Sequence, residues 1–89
     1  MKVIKVGATW CSGCLVMKPR WQEIEAENPW LETEYYDFDD NPEIAAKYKI
    51  DQELPVAILV DSNENEITRL CGEINKDEIQ KTILAQRAK

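Results

Sequence analysis

The sequence predicts an α/β fold, a mixed four-stranded sheet flanked by three helices in the order β-α-β-α-β-β-α. Three observations carry that prediction. A β-branched run at the start gives way at once to apolar residues at helical spacing. Two later apolar runs are separated only by polar turn residues, the pattern of an antiparallel hairpin. The C-terminal segment opens on a capping signature and continues with apolar residues three and four apart.

Val3-Ile4-Lys5-Val6 is strand-forming and ends at Gly7. Beyond the first cysteines, Met17, Trp21 and Ile24 fall at i, i+4 and i+7, so one helical face is buried. Pro19 lies inside that helix and is expected to kink it, and Asn28-Pro29 ends it. Leu31 to Phe38 reads as the second strand, closing in the acidic turn Asp39-Asp40. Asn41-Pro42 is an N-cap followed by proline at the first helical position, opening a short helix through about Tyr48.

Leu54 and Pro55 precede the apolar run Val56 to Val60. Asp61 to Glu64 then turns the chain into a strand around Glu66 to Cys71, broken by Gly72. Asn75 and Glu78 form a capping box for the last helix, whose buried face is expected to include Ile79, Ile83 and Leu84. Helices between the early strands imply parallel pairing, and the hairpin adds an antiparallel edge. There is no repeat, linker or low-complexity segment.

With 89 residues, 44% of them apolar, residues 1–89 are expected to form one domain with a small core. The net charge of −6 argues against nucleic acid or an anionic membrane as partner. Neither a secretory signal nor a membrane-spanning stretch is visible, so the expected location is cytoplasmic and the expected state a monomer. Three cysteines with no histidine do not make a disulfide framework. In a reducing compartment a close pair is catalytic or metal-binding.

Cys11 and Cys14, in the run Trp10-Cys11-Ser12-Gly13-Cys14, lie where the first strand turns into the first helix. Their spacing places both sulfurs on one side of the first turn, close enough to bridge with modest adjustment. The helix start presents unpaired N–H groups and partial positive charge, which favour a thiolate. A thiolate attacks disulfides. Cys11, at the tip and nearer solvent, is expected to be the nucleophile, and Cys14 to resolve the mixed disulfide. The competing reading is half of a zinc site. Cys71 is then the third thiolate available, and carboxylates would have to complete the set, so no metal is expected.

Those residues resemble the thioredoxin family, and the resemblance runs over nearly the whole chain. Its tryptophan-headed active-site motif matches Trp10 to Cys14, and Pro19 matches the proline of its active-site helix. The stretches Asp39-Asp40-Asn41-Pro42 and Ala46-Lys47-Tyr48-Lys49-Ile50 resemble its acidic turn and second helix. Leu54-Pro55-Val56 sits at its cis-proline loop, and Gly72 at the glycine after its last strand.

The resemblance implies a cis Pro55, where pattern alone suggests a trans proline opening an edge strand. It also implies that the backbone at Leu54 pairs with an extended substrate, and that Trp10 shields the cysteines and adds to the substrate surface. With Ser12, Gly13 and Gly72 these residues form the expected active-site environment. Trp21 and Trp30 are assigned to packing.

The chain departs from that family in three places. It lacks the extra strand and helix with which longer members begin, a plan closer to the glutaredoxin-sized fold. Ser12-Gly13 replaces the usual Gly-Pro, which loosens the helix start and is expected to make the pair less reducing. Lys5 stands where the family carries a buried aspartate beneath the second cysteine, and the lysine that pairs with it is replaced near Tyr35. An inward Lys5 would favour a Cys14 thiolate; otherwise its ammonium reaches past the core to solvent. Cys71 is expected to be a small buried apolar residue, with a regulatory thiol as the other reading.

The function these residues imply is reduction of protein disulfides by dithiol exchange, without a bound cofactor. The implied partners are protein disulfide substrates and a thioredoxin-reductase-type electron donor. Two other classes compete: a non-catalytic interaction module or redox switch, and a small zinc-binding domain.

Overall fold

The computed structural model describes residues 1–50 and 54–87. Its elements are β1 (Lys2–Gly7), α1 (Ser12–Glu27), β2 (Glu32–Asp37), α2 (Pro42–Lys47), β3 (Val56–Val60), β4 (Glu66–Cys71) and α3 (Lys76–Arg87). Order and type match the expectation. Among the described residues no helix is long and apolar enough to cross a membrane.

The four strands stand in the order β2-β1-β3-β4. β1 and β2 pair in parallel, with Lys5 opposite Tyr35 and Gly7 opposite Asp37. β3 runs antiparallel to β1, with Val6 opposite Val56, so the parallel crossover expected of the early strands holds only for the first pair. The length of α2 explains this. Six residues of helix rise about 9 Å, too short to run back along a strand of about 20 Å. The chain therefore re-enters the sheet from the end where β1 finishes, which brings Pro55 beside the cysteine motif.

Each face of the sheet buries its own cluster. Val3, Ala57 and Leu59 meet Met17, Trp21 and Ile24 of α1 and Ile79 and Ile83 of α3. Ile4, Val6, Val56, Ile58 and Val60 meet Tyr48 and Ile50, with Ile44 of α2 against them. Leu84 is 45% exposed and not part of the buried face, because the stripe of α3 is only as wide as Ile79 and Ile83.

The helix ends follow local chemistry. Pro19 lies within one continuous helix, and Asn28 closes it, its backbone N–H and Nδ2 both donating to the Ile24 carbonyl. Asn75 caps α3, its Oδ1 accepting from the Glu78 N–H at 2.9 Å. Asn41 stands at the N-cap of α2 without a side-chain cap bond. Its Nδ2 donates instead to the Asp37 carbonyl at 3.1 Å, tying the helix to the end of β2.

Candidate active site

Cys11 is the N-cap of α1, in extended conformation, and its Sγ accepts from the Cys14 N–H at 3.3 Å. One sulfur thus sits on the positive end of a 16-residue helix. Cys11 was expected nearer solvent than Cys14, but it is only 8% exposed and Cys14 is the less buried of the two. Folding back to cap the helix is what withdraws its side chain. Burial pushes the Cys14 thiol up to about 11, and its hydrogen bond to Cys11 adds to the shift. The proton therefore stays on Cys14 at neutral pH, while Cys11 accepts.

The rest of the motif is held from two sides. Trp10 is 57% exposed; its Nε1 donates to Asp39 Oδ2 at 2.8 Å and its ring meets Phe38 edge-on. It leans on the turn after β2, so Asp39 is a positioning residue that the acidic turn signalled only as a turn. Ser12 is exposed and begins the helix. Gly13 does more than loosen the backbone. A Cβ there would lie 3.0 Å from Pro55 Cδ, so glycine permits the close approach of helix and proline loop.

The Leu54–Pro55 bond is cis, as the resemblance implies. Pro55 accepts from the Gly72 N–H at 2.7 Å, and Gly72 holds a φ of 79°, where a side chain would be strained. Leu54 is half-buried against the cluster on the α2 face. Glu73, which sequence reading passed over, places its carboxylate beside the same Gly13 position. Cys71 ends β4, the edge strand of the sheet, and is exposed rather than buried.

Lys5 is partly buried, as one reading has it, but its ammonium meets a carboxylate. Its Nζ pairs with Glu25 Oε2 at 3.0 Å and lies 5.7 Å from the Trp21 ring centre. Burial raises the Glu25 carboxyl, but hydrogen bonds from Thr33 and Lys5 outweigh it and hold the group below its ordinary value. The charges acting on Cys14 are those of Cys11 and Asp37, not Lys5. Lys5, Glu25 and Tyr35 line a cavity of about 530 Å³ that reaches Cys14 and Pro55. Among the described residues, no three His, Cys, Asp or Glu side chains gather where they could hold a metal ion.

The thioredoxin family model matches residues 1–85. The chain belongs to the thioredoxin family. It is 30% identical over 86 residues to thioredoxin H2-1 of Oryza sativa subsp. japonica, covering 97% of this chain and 60% of that protein. It is 26% identical over 78 residues to thioredoxin C-3 of Corynebacterium nephridii, covering 88% of this chain and 52% of that one. The chain thus spans between half and two thirds of these two relatives. Thioredoxin 1 of Thermosipho africanus superposes with a TM-score of 0.82 at 28% identity, over 99% of this chain and 96% of that one.

Proposed function

We propose that this thioredoxin-family chain is a thiol–disulfide oxidoreductase that reduces protein disulfides by exchange through Cys11 and Cys14. The observation that carries the proposal is the cysteine pair itself. One sulfur caps a helix and the other holds its proton, next to a cis proline across a bare Gly13.

Cys11 Sγ attacks one sulfur of the substrate disulfide, forming a mixed disulfide and expelling the first substrate thiolate. Cys14 then attacks Cys11 Sγ, forming the Cys11–Cys14 bond and releasing the second thiolate. Two electrons pass from the dithiol to the substrate, and the thiol protons end on the departing sulfurs. A thioredoxin-reductase-type donor would restore the dithiol, in a reducing compartment such as the cytoplasm. The backbone by Leu54, with Trp10 and Gly72 at its margins, would receive an extended substrate strand.

Insulin reduction tests this. The wild-type chain is expected to turn insulin over, and Cys11→Ser to lose that activity entirely. Turnover that survived the substitution would defeat the assignment. A second reading, a redox switch without turnover, draws support from the 8% exposure of Cys11. It predicts a reversible Cys11–Cys14 disulfide with no insulin reduction by the wild type.

A further inference from the structure

Resolving a mixed disulfide requires Cys14 to become an anion in a partly buried place, which burial opposes and a backbone hydrogen bond from Ala8 favours. Asp37 faces it from the end of β2 with a negative charge. Lys5 on β1 and Glu25 on α1 are committed to each other. Lys18 on α1 lines the same cavity, and β3 offers only apolar Val56 and Ala57. Asp37 is itself engaged, its Oδ1 accepting from the N–H groups of Asp39 and Asp40.

One group remains. Tyr35 stands opposite Lys5 in the parallel pair, on the face of the sheet toward α1. Its ring is largely exposed, but its hydroxyl turns inward over Gly7. A Cβ at Gly7 would lie 2.8 Å from Tyr35 Oη and 3.0 Å from Cys14 Sγ, so phenol and thiol converge on the space that glycine leaves open. Among the described residues no side chain or carbonyl takes up that hydroxyl. Burial and the charge of Cys14 push the phenol up, so it stays a donor throughout the neutral range.

We infer that Tyr35 is the hydrogen-bond donor that stabilises the Cys14 thiolate during resolution, with Gly7 keeping the path between them clear. The inference rests on the exchange function proposed above. The phenol brings no charge of its own, so it can support an anion where a carboxylate would repel it. As Cys14 loses its proton to solvent, Tyr35 donates to the sulfur. The Cys14–Cys11 bond then forms, the bond from Cys11 to the substrate sulfur breaks, and the leaving thiolate takes up a proton.

The test uses the reduced chain with an aromatic disulfide reagent that releases a coloured thiolate at each step. The first release reports attack by Cys11 and the second reports resolution by Cys14. A Cys71→Ser background removes the exposed third thiol. Tyr35→Phe keeps the ring and is expected to fold normally. It should leave the first phase unchanged, slow the second about tenfold, and move that phase's pH midpoint upward. Gly7→Ala, which puts a methyl group between the two atoms, should slow the second phase likewise while retaining the phenol. Identical second phases and pH midpoints in wild type and Tyr35→Phe would overturn the inference. Absence of a second release from the wild type would instead defeat the exchange function itself.

Discussion

Toward α2 the two central strands present Ile4, Val6, Val56, Ile58 and Val60, with Lys2 at one end and Glu34 and Arg69 on the flanking strands. Toward α1 and α3 the same strands present Val3, Ala57 and Leu59, but β1 continues on that face with Lys5 and then Gly7. Opposite them on β2 stand Tyr35 and Asp37. The first face is a core along its two central strands, with charged residues at its margins. The second is a core at one end and a polar, partly hollow half at the other, where Cys14 lies. Alternation along one strand supplies both, because successive side chains point to opposite faces. Reactive groups therefore gather on the α1 side of the sheet without weakening the packing beneath α2.

Substitutions that trespass on one face at a time put this division at risk. The largest effect is expected from Ile58→Ala, a fully buried side chain on the α2 face. It should cost about 2–5 kcal/mol in denaturant unfolding. The rate of Cys11 alkylation in the molecules that remain folded should not change. A changed rate would mean the two faces are coupled.

An intermediate effect is expected from alkali. The Cys14 thiol rises from 9.0 toward about 11 in the folded chain, so its protonated form is favoured by folding. The associated stability is fully present below about pH 9 and declines as the pH rises through 11. Thermal melts of the reduced chain should fall over that window, and Cys14→Ser should flatten the decline. Tyr35, also raised, leaves a residual slope. An equal decline in both proteins would show that the cavity does not hold the Cys14 proton.

The smallest effect is expected from Lys5→Met, which removes a partly buried ion pair worth about 1 kcal/mol. Because Lys5 serves Glu25 and not the sulfur, the alkaline titration of Cys14 should stay where it is. A shift of that titration would restore Lys5 as the substitute for the family's aspartate.

Much of this was legible from short stretches of sequence. Period-two and period-3.6 patterns, caps and turn residues act within a few positions, so β1, α1, the β3–β4 hairpin and α3 could be read directly. The cysteine motif was equally local, since Cys11 and Cys14 share one helical turn. The proline loop needed the family resemblance, because a cis bond leaves no mark in the pattern of residues. Burial near the edges was misread where it depends on what lies across a gap. Leu84 and Cys71 are apolar residues at plausible core positions, yet both are exposed.

By itself, then, the sequence determined which segments are strands and helices, and it marked the two cysteines as the place of chemistry. Those properties depend on neighbours along the chain. Only the tertiary structure decided that β3 runs antiparallel to β1 and that Cys11 is withdrawn as a helix cap. It also decided that Lys5 answers to Glu25, 20 residues away, and that the Tyr35 hydroxyl and the Cys14 sulfur both border the space at Gly7. Such contacts depend on how separate elements pack in three dimensions, and no local periodicity encodes the distance between two side-chain tips.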